Sequence, residues 1–132
     1  MPNRSSERKD ENNQIRIKIH DRLVSIINEY IQKILLEVKS RLKEIYSEDL
    51  VDVILFGSQA RDQADQGSDI DIAVILNREV NKYEEIGPIV DAIYYISLQN
   101  DELISILPMS LNEYINGNYS IHENIRREGV VV

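Results

Sequence analysis

The chain has 132 residues, no cysteine, 42% apolar residues and a formal net charge of −8; this fits one domain with a real core and excludes two complete domains, a disulfide framework and a thiolate metal site. The acidity also argues against affinity built on neutralising many phosphates, so direct nucleic-acid binding is not expected. It is uneven: residues 1–22 hold six Lys or Arg against four Asp or Glu, the remainder nine against nineteen, so the body of the domain carries the acid, either as a solvated surface or as a face for a basic partner.

Residues 1–13 are polar and without apolar period, and are expected to be a disordered tail ahead of a domain over 14–132. No apolar signal region follows Met1 and the longest purely apolar run is Ile72–Leu76, so a cytoplasmic protein without a membrane span is expected. The alternation Ile15, Ile17, Ile19 fits a short strand. From Ile19 the spacing changes, and Leu23, Ile26, Ile27, Tyr30, Ile31, Ile34, Leu35, Val38, Leu42 and Ile45 recur at three and four residues, which predicts a helix over 19–46. At a rise of about 1.5 Å per residue such a helix reaches ~40 Å. It either caps its own sheet or overhangs onto a second subunit or a partner.

Val51–Phe56 is a β-branched and aromatic run stopped by Gly57, the pattern of a buried strand. Asp69–Leu76 predicts a second strand, residues 83–99 a helix that Pro88 starts or kinks, and Leu103–Leu107 a third strand. Ser110 with Glu113, and Ser120 with Glu123, fit capping boxes of two short closing helices. The expected class is α/β (α+β), a small mixed sheet flanked by helices.

Chemistry concentrates between the first two strands. Gly57-Ser58 follows a strand, ten residues intervene, and Asp69-Ile70-Asp71 opens the next. Two acids two apart on a strand share a face, about 6.5 to 7 Å apart along it. An unpaired buried carboxylate is costly and a close pair repels, whereas a divalent cation relieves both. Mg²⁺ suits oxygen ligands shared with substrate phosphates, and Gly57 with Ser58 lets backbone and hydroxyl approach a β- or γ-phosphate. An α-phosphate over Asp69 and Asp71 then sits where nucleotidyl transfer occurs. Arg61 either reaches a phosphate or pairs with Asp62 or Asp65. His20 and His122 have no second ligand at metal spacing and read as surface or cap residues. The seven tyrosines read as core and rim packing.

The segment Phe56-Gly57-Ser58-Gln59-Ala60-Arg61 through Gly67-Ser68-Asp69-Ile70-Asp71-Ile72 resembles the signature of the DNA polymerase β-type nucleotidyltransferase superfamily, and the small size resembles its minimal nucleotidyltransferase (MNT) subgroup. The resemblance implies an antitoxin that transfers AMP from ATP, with two Mg²⁺ ions, to a tyrosine of a partner HEPN-domain ribonuclease toxin. It implies Gly57 and Ser58 as the phosphate-binding pair and Asp69 and Asp71 as metal ligands; Arg61 and Ser68 are further candidates for nucleotide binding. A third catalytic and metal-binding acid falls on Glu102, with Asp101 as the alternative. Asp62 departs from the pattern, standing where a glycine is usual. The alternatives are transfer to a small molecule, with a homodimer building the pocket, and a non-catalytic antitoxin that acts by binding.

Overall fold

The computed structural model describes residues 29–60 and 69–132. The expected tail, the Ile15–Ile19 alternation, residues 19–28 of the long helix, Arg61 and Ser68 lie outside these residues.

Helix α1 spans Glu29–Tyr46 and buries Ile31, Ile34, Leu35, Val38, Leu42 and Tyr46, as the three- and four-residue spacing requires. The buried stripe is narrower than the apolar spacing suggests, because Tyr30 and Ile45 remain exposed at its margins. A single 3₁₀ turn, Ser47–Asp49, leads into strand β1, Leu50–Phe56. One helical turn, α2, occupies Gly57–Ala60, and strand β2 is Ile70–Leu76. Helix α3, Lys82–Asn100, starts ahead of the expected position because the Asn81 side chain accepts the Tyr83 N–H at 3.0 Å, which satisfies one of the donors a helix start leaves free. Pro88 therefore lies within α3 rather than at its start.

Strand β3, Ile104–Ser110, runs three residues past the expected end and through Pro108. The sheet order is β3-β2-β1 followed by a two-residue strand β4, Val130–Val131, so β3 is an edge, where proline is tolerated. The register makes the tolerance specific. Ile70 N–H donates to Leu103 O; the parallel β2–β3 ladder then turns the N–H groups of odd β3 residues inward and leaves the Pro108 nitrogen on the outer rim. β1 is antiparallel to β2 and to β4, while α3 makes the crossover between the parallel pair.

The two sheet faces carry separate cores. Val53, Leu55, Ile70, Ile72, Val74 and Leu76 pack under α1 and α3. Ile54, Ala73, Ile75 and Met109 pack on the other face with Ile125, which belongs to helix α5, Ser120–Glu128. The short helix α4, Leu111–Asn116, is capped by the Ser110 hydroxyl, which accepts the Glu113 N–H at 3.0 Å. The second expected cap is different: Ser120 is already inside α5, and Tyr119 N–H donates to His122 Nδ1 at 3.3 Å. The tyrosines also depart from expectation, since Tyr46 is buried but Tyr83, Tyr94, Tyr95 and Tyr119 are exposed. Among the described residues no helix is long and apolar enough to cross a membrane.

Candidate active site

β1 ends where β2 begins, because the two are antiparallel and Phe56 pairs with Asp71. The pairing sets Gly57 against the Asp71 side chain. Gly57 has φ +74, and a Cβ built on it would overlap Asp71 Oδ2 and lie 3.2 Å from Asp71 Cγ. Glycine is thus required twice, for its left-handed backbone and for the space the carboxylate takes. Ser58 follows in α2, partly accessible, and Ala60 packs against the core under α1.

Asp69 and Asp71 share the α5 face of the sheet, as their spacing predicts. Asp69 is exposed and Asp71 half-buried. Strand β3 contributes to the same end: Ser105 is in register with Asp71, and its hydroxyl donates to Asp69 Oδ2 across a long 3.4 Å. Ser105 was not singled out from the sequence. The signal is the alternation Leu103, Ser105, Leu107, which places one hydroxyl on the face of Asp71.

Glu102 takes another direction. Two residues before Ile104, it follows the alternation of the α1–α3 face, and its carboxylate lies against the Tyr30 hydroxyl of α1. That hydroxyl is raised above its ordinary pKa by desolvation first, then by the charge and hydrogen bond of Glu102 and the charge of Asp101. Tyr30 also donates to Asn100 O at 2.7 Å. Asp101, the alternative acid, is exposed and closes α3 in a left-handed conformation with φ 51. Among the described residues, no three Asp, Glu or His side chains converge as a metal cluster. Glu102 borders the same depression as Asp69, but with Asp71 the two form no metal cluster among the described residues.

The donor chemistry at Asp69 and Asp71 nonetheless fits Mg²⁺, which commonly takes one or two carboxylates and completes its octahedron with water and substrate phosphate. His122 belongs to no such site. It is buried, its Nδ1 holds the Tyr119 N–H, and its Nε2 lies 3.4 Å from Glu113 Oε2.

A family model described as a nucleotidyltransferase domain matches residues 31–124. No curated protein matches the chain. Among solved structures, the chain is similar to a protein in a toxin–antitoxin structure with AMP-PNP, at 16% identity over 71% of this chain and 68% of that chain, with a TM-score of 0.51. It is also similar to a candidate nucleotidyltransferase from Sulfolobus solfataricus, at 20% identity over 79% of this chain and 86% of that chain, with a TM-score of 0.44. The first likeness supports a shared fold.

Proposed function

Since the chain belongs to the nucleotidyltransferase domain family, we propose that it transfers AMP from ATP, with Mg²⁺, to a tyrosine hydroxyl of a HEPN-domain toxin and so acts as its antitoxin. The observation that carries the transfer chemistry is the packing of Asp71 over Gly57, which joins the phosphate-binding turn to the pair of acids. The choice of acceptor is supported by the sequence resemblance and by the fold shared with a protein from a toxin–antitoxin structure with AMP-PNP.

In this reading the Gly57 backbone and Ser58 hydroxyl hold the β- and γ-phosphates, and Asp69 and Asp71 hold the metal. Bound Mg²⁺ would polarise the α-phosphoryl oxygen and offset the charge that develops on it. The acceptor oxygen attacks the α-phosphorus, one P–O bond forms, and the bond from the α-phosphorus to the bridging oxygen breaks. Pyrophosphate leaves with the electron pair, and the hydroxyl proton passes to water. Positioning and charge stabilisation supply most of the acceleration in such transfers. The test is α-labelled ATP with Mg²⁺ and the product of the neighbouring gene, which this reading expects to be the HEPN toxin. Label on the toxin, lost in the Asp69→Asn, Asp71→Asn double variant, is expected; an unlabelled toxin refutes the reading.

One observation favours a second reading, an antitoxin that binds without catalysis. Ser105 rather than an acid is in register with Asp71, and the Glu102 carboxylate lies against the Tyr30 hydroxyl, so among the described residues β3 sets no acid opposite Asp71 to serve as a general base. Under this reading the double variant still neutralises the toxin on co-expression.

A further inference from the structure

The end of the sheet that carries Asp69 opens onto a groove outside the nucleotide-binding turn. Tyr94, Ser97 and Leu98 of α3 and Asp101 at its C-cap stand three, four and seven residues along from Tyr94 and so line one helical face. With Leu103 and Asp69 they bound a cavity of about 430 Å³. Its apolar walls are open to water: Tyr94 is 56% exposed, Leu98 60% and Leu103 64%. Single exposed apolar side chains are ordinary, but several gathered in one depression beside functional acids mark a contact surface.

The wall is rigid. Tyr30 donates to Asn100 O at 2.7 Å, Asn100 Nδ2 to Ile96 O at 2.7 Å and Glu102 N–H to Ser97 O at 3.1 Å, and the Ser97 hydroxyl donates to Glu102 O. A surface fixed in this way loses little freedom on binding. Its charge has one sign, since Asp69, Asp101 and Glu102 line it and no Lys or Arg does so among the described residues.

We propose that this groove docks the acceptor polypeptide, a segment with apolar anchors flanked by Arg or Lys that brings its hydroxyl residue to the Asp69 end. The proposal rests on the transferase reading and adds the chemistry of the partner. Acidic walls repel a triphosphate and complement a cationic chain. A second copy of this chain is a poor occupant, because each copy carries a net charge of −8.

The probes are two fluorescein-labelled peptides with a central tyrosine and two leucines, one with arginine at both flanks and the other with glutamate in those places. Fluorescence anisotropy without nucleotide is expected to show the arginine peptide binding at least about tenfold more tightly. Leu98→Asp and Leu103→Asp, both at exposed positions, each lower that affinity by about tenfold and leave MgATP affinity unchanged. Asp101→Asn keeps a residue tolerant of the left-handed backbone and narrows the discrimination between the peptides. Equal binding of the two peptides, or wild-type affinity in the leucine variants, overturns the proposal. So does loss of MgATP affinity in those variants with peptide binding intact, which makes the groove a base pocket, or self-association of the wild type that Leu98→Asp disperses. A chain that binds the arginine peptide but not MgATP defeats the transferase reading and leaves the groove standing.

Discussion

Asp71 Oδ2 occupies the space a side chain on Gly57 would need, and Gly57 has φ +74; the Gly57 turn and Asp71 are therefore one packed unit. Gly57→Ala is expected to cost about 1–3 kcal/mol in urea unfolding, from the strained backbone and the displaced carboxylate. MgATP affinity, measured by titration calorimetry, falls by at least about tenfold because the acid and the turn move together. A Gly57→Ala variant with wild-type affinity would show that the contact has no bearing on the ligand.

Asp69 and Asp71 repel each other while no cation lies between them. Asp71→Asn is therefore expected to change stability by no more than about 0.5 kcal/mol in EDTA. With MgATP at a hundred times its dissociation constant, the wild type gains about 2.7 kcal/mol. The variant gains little of this, and EDTA removes the gain from the wild type. Thermal unfolding with and without chelator checks each step.

Leu42 is wholly buried in the core under α1, whereas Leu36 of the same helix faces water. Leu42→Ala is expected to cost about 2–5 kcal/mol. Leu36→Ala should stay within about 0.5 kcal/mol. Paired urea melts decide whether α1 is anchored by the stripe described above.

Tyr46 supplies a pH signature. Burial, then the hydrogen bond to Glu85 at 2.8 Å and the Glu85 charge, push its hydroxyl up to about 12 against the opposing effect of Arg78. An unfolded tyrosine titrates near 10, so the fold favours the protonated form. The stabilisation is complete below about pH 10 and is lost as pH rises through about 12. Tyr46→Phe is expected to cost about 1 kcal/mol at neutral pH and to flatten stability across that alkaline window, as read by denaturant melts at several pH values.

Local pattern was enough to find α1 from Glu29 onward, both central strands and the Gly57-Ser58 and Asp69-Ile70-Asp71 motifs, because each follows from periodicity or from residues few positions apart, whereas the packing of Asp71 on Gly57 follows from the β1–β2 register. The third acid was not legible in that way. Placing Glu102 needs the parity of β3 relative to β2, and parity depends on a register set by the Ile70 to Leu103 hydrogen bond. A shift of one residue would exchange Ser105 for its neighbour on the Asp71 face. The passage of β3 through Pro108 was hidden for a similar reason: only the sheet order makes that strand an edge. Ser120 failed as a cap because the helix begins one residue earlier: the His122 and Glu123 N–H groups already donate to Tyr119 O, which makes Tyr119 the cap residue.

The rim of β3 has a further consequence. With a proline nitrogen in the middle of its outward ladder, a foreign strand laid along that edge would find a missing donor. The opposite edge, β4, is only two residues long. Among the described residues the β3 rim is therefore a poor template for lengthening the sheet, which guards that border against edge-to-edge aggregation. It also restricts how other proteins attach at that border: recognition there has to use side chains displayed on helices and at the strand ends, where sequence can change without disturbing the backbone ladder.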